Sequence, residues 1–184
     1  MRKIIIAGGP HTGKTTLLKA LEYKFPEAYF VPEPAETLIA RELLKQERDH
    51  DYVPVLPWID YKLFGPAVTQ ESVALESKIP PHVDLAFQDR SLIDAIGYCR
   101  LNHFNTFIIK VKRLIDEANY GLAFFCEPVG DYLTTDIRRE SYSQAKRTHQ
   151  FLQKAYQESG IPVIELPPVP VHQRIEIVQT NIKA

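Results

Sequence analysis

A phosphate-binding loop is predicted at residues 8–15, which read GGPHTGKT and directly follow the apolar segment IIIA at residues 4–7. This GxxxxGKT (Walker A) pattern predicts a glycine-rich turn whose N–H groups point at phosphates, followed by a helix whose positive end faces the same anion. Lys14 is expected to contact the β- and γ-phosphates, and the Thr15 hydroxyl to ligate Mg²⁺. The alternative is a glycine-rich turn with a surface lysine. The residues predicted to bind a nucleoside triphosphate are Gly8, Gly9, Pro10, His11, Thr12, Gly13, Lys14, Thr15 and Thr16.

Acidic side chains follow a second predicted strand, in the segment VPEPAE at residues 31–36. Glu33 and, as second choice, Glu36 would lie at the carboxyl edge of a sheet, beside the expected γ-phosphate. There Glu33 would act as a general base and accept the proton of an attacking hydroxyl. The same segment also suits a helix start, because Pro34 fits the first helical position and glutamates there interact favourably with the helix dipole.

An acid and a base, Asp89 and Arg90, follow the third predicted strand, residues 84–88. Asp89 is predicted to hold Mg²⁺ or its water shell opposite Thr15. The alternative role for Asp89 is an N-cap for the next helix. Arg90 is expected to point into a cleft and bind an anionic or hydroxyl group of a second substrate, rather than to lie on the surface.

A lid is predicted at about residues 128–140, where turn-forming residues lead to two adjacent arginines. Arg138, or else Arg139, would lie over the transferring phosphoryl group, neutralise the charge on its equatorial oxygens and exclude water. The alternative is a solvated arginine pair in the first turn of a helix, where cations oppose the helix dipole.

Three aromatic residues, Trp58, Tyr61 and Phe64, recur every three positions along a helix predicted at residues 58–76. They would stack on a flat ring such as a nucleobase or nicotinamide, or they would belong to the core, as most stripes at helical spacing do. The dipeptide at residues 65–66, Gly-Pro, is expected to kink or split this helix.

The remaining candidates for metal or thiol chemistry are weak. Cys99 and Cys126 lie in no metal-binding or redox spacing and are expected to be buried thiols in a reducing compartment. Five histidines outside the loop show no metal-ligand spacing and are interpreted as surface or structural residues. They are His50, His82, His103, His149 and His172.

Length and charge suit one domain covering residues 1–184. Lys and Arg number 22 and Asp and Glu 23, with no long basic run, so a nucleic-acid partner is not expected. The amino terminus begins a strand almost at once, and no apolar run approaches the length of a membrane span. We therefore expect a cytoplasmic protein with neither a leader nor a membrane partner; its oligomeric state stays open.

Apolar runs alternate with amphipathic stretches along the whole chain, which predicts an α/β fold with a doubly wound parallel sheet in three layers. Strands are predicted at residues 2–7, 28–31, 84–88, 122–126 and 163–166. Helices are predicted at residues 14–24, 35–46, 58–76, 91–102, 106–117, 141–158 and 171–181. Ligands of such sheets bind at the carboxyl ends of the strands.

These motifs resemble those of P-loop kinases of nucleosides and nucleotides. VPEPA at residues 31–35 resembles the catalytic-base segment of deoxynucleoside kinases, and DRS at residues 89–91 is similar to a motif of those enzymes and of thymidylate kinases. Nearly the whole chain, including residues 138–174, resembles a family of small predicted ATPases related to the ribosylnicotinamide kinase domain of the bacterial NAD regulator. The resemblance implies a five-stranded sheet of order 2-3-1-4-5, Glu33 as the base, and Arg90 near the phosphate acceptor.

The chain departs from deoxynucleoside kinases in two places. Its candidate lid has adjacent rather than spaced arginines, and no residue clearly matches their base-pairing glutamine, although Gln70 is nearby. The identity of the substrate therefore does not carry over from those enzymes.

From the motifs together we expect a kinase that uses ATP and Mg²⁺ to phosphorylate a hydroxyl or phosphate of a small nucleoside-like acceptor. The alternative is a switch module that binds ATP or GTP without such an acceptor; the Asn-Lys-x-Asp segment that reads guanine in typical GTPases is absent from the sequence.

Overall fold

The computed structural model describes residues 1–129 and 141–182. Each of the five strands is followed along the chain by one or two helices, as the sequence predicts. In chain order they are β1 (Arg2–Ala7), α1 (Lys14–Lys24), β2 (Tyr29–Val31), α2 (Pro34–Arg48), α3 (Tyr61–Glu76), β3 (Leu85–Asp89), α4 (Leu92–Leu101), a 3₁₀ turn (Asn105–Phe107), α5 (Ile108–Ala118), β4 (Leu122–Cys126), α6 (Tyr142–Gln157), β5 (Val163–Leu166) and α7 (Val171–Ile182).

The five strands form one parallel sheet in the order β2-β3-β1-β4-β5, which confirms the expected topology. The central strand β1 pairs with β3, with Ile6 opposite Asp89, and with β4, with Ala7 opposite Phe125. The carboxyl ends of β1, β3 and β4 therefore meet at one edge of the sheet. The loops that follow these strands carry most of the predicted site residues.

Helices cover both faces of the sheet, so the fold has the three layers that the sequence predicts. Ile4 and Ile6 of β1 pack with α1 and α7 on one face. Ile5 and Ala7 point to the other face, where α4, α5 and α6 cover them. This alternation follows from the two-residue period of a strand, and it explains why β1 is apolar throughout.

Two predicted helices, the third and the fifth, differ from the observed ones by more than a shift of one or two residues in their bounds. Helix α3 begins at Tyr61 rather than at Trp58, because the Asp60 side chain accepts a hydrogen bond from the amide of Lys62 and caps the first turn. Pro66 lies inside α3 without splitting it, since burial of one helix face outweighs the loss of a single helical hydrogen bond. The fifth predicted helix starts as the 3₁₀ turn and becomes α-helical only at α5.

Both cysteines are buried free thiols, as expected from the sequence. Across residues 1–129 and 141–182, no helix has the length and apolar character required to cross a bilayer.

Candidate functional site

The loop between β1 and α1 curls tightly because three of its residues have positive φ angles. These are Gly8 at 138°, His11 at 60° and Gly13 at 76°. Such angles disfavour residues with a side chain, so the loop holds His11 in a strained backbone conformation. Any side chain at Gly8 is excluded, because a Cβ there would lie 2.6 Å from the carbonyl oxygen of Cys126.

The first turn of α1 offers its backbone N–H groups to this loop. The helix begins at Lys14. Its N-cap residue, Gly13, has no side chain that could cap the first N–H groups, and the first turn contains no acidic residue. Thr15 and Thr16 are exposed. Since the first N–H groups of a helix have no acceptor within the helix, this turn can bind an anion.

Lys14 folds back over the loop, where it is only 8% exposed, and its Nζ donates a hydrogen bond to the carbonyl oxygen of Gly9 across 3.0 Å. Burial and the charge of Arg90 lower the pKa of Lys14 to about 8, although Glu33 and Asp89 act in the opposite direction. A bound anion would favour the charged ammonium, because opposite charges at short range stabilise one another.

Arg90 connects the loop with the neighbouring acidic residues. Its Nε lies 2.9 Å from Oε1 of Glu33, and its Nη1 lies 2.9 Å from Oδ1 of Asp94. The same Nη1 donates to the carbonyl oxygen of Gly8 across 3.3 Å. The guanidinium also faces the ring of Tyr98, with 5.8 Å between its central carbon and the ring centroid. Arg90 therefore lies in the cleft, with a left-handed backbone (φ 68°), and not on the surface.

Glu33 occupies the N-cap position of α2, with Pro34 in the first turn, as the structural alternative requires. Its carboxylate, however, makes no capping hydrogen bond and pairs with Arg90 instead. The backbone of Glu33 is thus in the N-cap position, whereas its side chain pairs with Arg90 in the cleft. Glu36 is exposed on the same helix.

Asp89 is the last residue of β3, and the N-cap of the next helix is Ser91, so the capping alternative for Asp89 is wrong. Its Oδ1 is buried and has no hydrogen-bond partner among the described residues. Burial, together with the negative charge of Glu33, raises the pKa of Asp89 to about 7, while Lys14 and Arg90 oppose this shift. Burying a carboxylate oxygen without a hydrogen-bond partner costs free energy, and a cation bound to this oxygen would remove that cost.

The residues present fit a magnesium ion that phosphate oxygens help to hold. Mg²⁺ commonly binds one or two carboxylates together with water and substrate phosphates. Asp89 offers an unpartnered oxygen, and the hydroxyl-bearing Thr15 is exposed beside the loop. Within the described part of the chain, no three His, Cys, Asp or Glu side chains form a group that could hold a metal ion by themselves.

A cavity of about 480 Å³ opens beside the ion pair of Arg90 and Glu33. The aromatic residues Trp58, Tyr61 and Phe64 all line it, although Trp58 precedes α3. Phe64 is also buried, which agrees with the core interpretation of the stripe, whereas stacking of these rings on a ligand stays a prediction. Asp94 also lines the cavity, and the sequence analysis did not single it out. We call this cavity the apolar pocket.

Gln70 does not face the apolar pocket. It lines a smaller surface cavity of about 350 Å³ between α2 and α3, together with Arg41 and Glu71. The helical phase of α3 thus turns Gln70 away from the apolar pocket, in line with the absence of a clear match to a base-pairing glutamine in the sequence.

Two further residues hold the phosphate loop in place. His149 of α6 is buried and accepts a hydrogen bond at Nδ1 from the amide of Gly9 across 3.2 Å. Arg174 of α7 is 2% exposed, and its guanidinium donates to the carbonyl oxygens of Thr12, Glu127 and Pro167. The sequence interpretation assigned His149 no role beyond a surface or structural one, and it gave Arg174 none.

The predicted lid falls largely outside the described residues. Arg138 and Arg139 lie in the undescribed stretch 130–140, so their role stays a prediction. At the start of the lid, the amide of Val129 donates to the carbonyl oxygen of His11 across 3.2 Å. This contact brings the beginning of the segment against the phosphate loop.

Comparison with known proteins agrees with the fold. A family model described as an AAA domain matches residues 3–174. The chain belongs to that family. A search of curated proteins found no significant match.

Several solved structures share the fold at low sequence identity. Deoxyadenosine kinase from M. mycoides, with bound dATP, has a TM-score of 0.68 at 14% identity over the whole of both chains. Thymidylate kinase from Ehrlichia chaffeensis has a TM-score of 0.68 at 14% identity over 98% of each chain. NadR protein in complex with NR has a TM-score of 0.70 at 19% identity over 98% of this chain and 51% of that one. This chain thus spans about half of NadR. The fold is that of P-loop nucleoside and nucleotide kinases.

Proposed function

We propose that this protein is a kinase that transfers the γ-phosphoryl group of Mg·ATP to a hydroxyl or phosphate of a small nucleoside-like acceptor. The observation that carries the proposal is the position of Arg90. Its guanidinium donates to Gly8 in the phosphate loop and to Glu33 in the wall of the apolar pocket. A place for a phosphate donor and a place for a second ligand therefore share one wall, as transfer between two bound substrates requires.

The donor side is formed by the phosphate loop. The backbone N–H groups of Gly13, Lys14, Thr15 and Thr16 would bind the triphosphate, with the Lys14 ammonium at its β- and γ-phosphates. In phosphoryl transfer the protein acts mainly by positioning and by stabilising charge. A buried ammonium beside fixed amide dipoles suits that task, because neither must reorganise during the reaction.

On the acceptor side, Glu33 would accept the proton of the attacking hydroxyl. The hydroxyl oxygen then bonds to the γ-phosphorus, the bond from that phosphorus to the β–γ bridging oxygen breaks, and ADP leaves. Arg90 holds the Glu33 carboxylate at 2.9 Å and would orient the acceptor beside it. For a phosphate acceptor the proton transfer is unnecessary, and only the positioning role of Arg90 remains.

The chemistry that a magnesium ion would supply here, when bound with ATP, is positive charge that stabilises the charge developing on the phosphate oxygens. Thr15 and Asp89 are the residues that would hold it. Arg138 or Arg139 would complete the site by covering the transferring group. These assignments rest on the sequence pattern and, for Asp89, on the orphaned buried oxygen.

The similar structures support a nucleoside-like acceptor. Two of them are named as kinases of deoxyadenosine and of thymidylate, and a third, NadR, is a complex with NR. A pocket lined by Trp58, Tyr61 and Phe64 suits a flat ring such as a nucleobase.

The proposal is tested by measuring ATP consumption with nucleosides, nucleoside monophosphates and ribosylnicotinamide as acceptors. One acceptor class is expected to raise turnover. If that acceptor reacts through a hydroxyl, Glu33→Gln is expected to lower the stimulated rate by about 100-fold or more while ATP still binds. Glu36→Gln is the matched control, because it removes the same charge from an exposed position on the same helix and should leave the rate unchanged.

A second variant tests the donor site by itself. Lys14→Ala is expected to abolish ATP binding in calorimetry without lowering the melting temperature. Unchanged ATP affinity in this variant contradicts the phosphate-site assignment. If ATP binds tightly to the wild type but every acceptor leaves turnover at the level of slow background hydrolysis, the protein is instead a nucleotide-dependent switch.

A further inference from the structure

The described wall of the apolar pocket has more negatively than positively charged side chains. Among the residues that the structure describes there, the charged side chains are two carboxylates, Glu33 and Asp94, and one guanidinium, Arg90. All three are largely buried, with 18%, 6% and 11% of the respective side chains exposed. The described wall therefore carries an excess of negative charge where solvent screens it poorly.

Arg90, the one cation among the described residues of this wall, is already paired. Arg90 donates through Nε to Glu33 and through Nη1 to Asp94, each across 2.9 Å. Asp94 is itself fixed, because its Oδ2 accepts hydrogen bonds from the amide of Ser91 and from the hydroxyl of Tyr156. A phosphate group could bind Arg90 only by displacing these carboxylates or by approaching them closely.

Lys14, a second cation near Arg90 in the described part of the chain, belongs to the donor side. Lys14 contacts the phosphate loop through the carbonyl of Gly9 and does not line the apolar pocket. Any affinity of Lys14 for phosphate is therefore directed to the triphosphate.

The rest of the described wall is suited to a flat, uncharged ring. Trp58, Tyr61, Phe64 and Tyr98 contribute four aromatic rings, and the other lining residues are apolar or neutral polar. Such a wall compensates poorly for the hydration that a phosphate dianion would lose on entry. Aromatic faces instead favour neutral rings or cations.

From these charges we infer that the acceptor carries no phosphate of its own: it is a ring-bearing alcohol, neutral or cationic, such as a nucleoside, and not a nucleoside monophosphate. The inference rests on the proposed function and narrows it, because the kinase fold by itself accommodates both classes. Specificity arises from repulsion of the wrong acceptor as much as from attraction of the right one.

Binding can be measured directly because Trp58 is the only tryptophan of the chain and lines the apolar pocket. Its fluorescence is titrated with matched pairs: adenosine and AMP, thymidine and TMP, ribosylnicotinamide and its monophosphate. The best-bound nucleoside is expected to bind about 100-fold more tightly than its own monophosphate, because like charges disfavour the dianion. In the assay of ATP consumption, that nucleoside is likewise expected to give a higher rate than its monophosphate.

The role of wall charge is tested by Glu33→Gln, with binding and not turnover as the readout. Removing one carboxylate frees a donor of Arg90, so the preference for the nucleoside over its monophosphate should narrow by about tenfold or more. Glu36→Gln removes an equal charge outside the apolar pocket and is expected to keep the wild-type preference.

Two failures are distinguishable. Equal or tighter binding of monophosphates, or faster ATP consumption with them, overturns the inference on the acceptor and leaves the kinase proposal intact. If ATP binds but no member of any pair raises ATP consumption, the kinase proposal itself fails. If Glu33→Gln and Glu36→Gln narrow the preference for the nucleoside over its monophosphate equally, the inference is also overturned, because the charge of the wall is then not the cause of that preference.

Discussion

The amide of Gly9 donates a hydrogen bond to Nδ1 of His149, so the phosphate loop is supported from α6 across 3.2 Å. On the other side of the ring, Nε2 lies 3.3 Å from Oε2 of Glu127, the residue directly after β4. Burial lowers the pKa of His149, although Glu127 acts against this shift. The neutral ring can therefore accept at Nδ1 while its Nε2 proton faces a carboxylate.

The first prediction concerns this support. His149→Leu leaves the buried Gly9 amide without an acceptor and is expected to weaken ATP binding by about tenfold, the equivalent of one unsatisfied hydrogen bond. His149→Gln, whose side-chain oxygen can accept the same bond, should lose less. Calorimetric titration with Mg·ATP measures both. Wild-type affinity in a folded His149→Leu variant contradicts the supporting role.

The second prediction concerns Arg174, whose guanidinium joins the phosphate loop to the segments after β4 and β5. Its hydrogen bonds go to three carbonyl oxygens, those of Thr12, Glu127 and Pro167. Lys in place of Arg keeps the charge but cannot reproduce the planar fork of donors. Arg174→Lys is expected to lower both ATP affinity and melting temperature. The exposed Arg113→Lys is the matched control and should change neither.

A third prediction separates the metal from the nucleotide. Asp89→Asn keeps the shape of the side chain and removes the charge that would hold Mg²⁺. It is expected to weaken ATP binding by about tenfold or more in the presence of Mg²⁺, and to leave binding in EDTA nearly unchanged. Its melting temperature without ligand should equal or exceed that of the wild type, because a buried unpartnered carboxylate is removed. An equal loss of affinity with and without Mg²⁺ points away from a metal role.

The strands and the loop were predictable from sequence for simple physical reasons. A buried parallel strand such as β1 or β4 is a continuous apolar run, and both were predicted with their observed bounds. Asp89 and Glu33 were brought to one edge by topology, because parallel strands end on the same side of the sheet. Their pairing with particular neighbours did not follow from the sequence.

What the sequence could not predict are contacts between distant positions. Gly9 and His149 are 140 residues apart, and Thr12 and Arg174 are 162 apart. No periodicity marks such pairs, since tertiary packing alone brings them together.

The last prediction concerns the segment that leads to Trp58. Glu42 of α2 is 3% exposed and accepts hydrogen bonds from Lys45 Nζ and Tyr52 Oη, each across 2.6 Å, and from the amide of Val55 across 3.0 Å. Burial alone would raise its pKa, but these hydrogen bonds prevail and lower the pKa from 4.5 to about 2.

Because the pKa of Glu42 is lower in the folded than in the unfolded chain, the ionised carboxylate stabilises the fold above about pH 4.5, and this contribution is lost as the pH falls toward 2. Glu42→Gln is therefore expected to lower the free energy of unfolding by about 1–3 kcal/mol at pH 7. Urea titrations at several pH values should show this difference shrinking between pH 4.5 and pH 2. The exposed Glu47→Gln on the same helix is the control. A difference that stays constant with pH rules out the ionised carboxylate as its source.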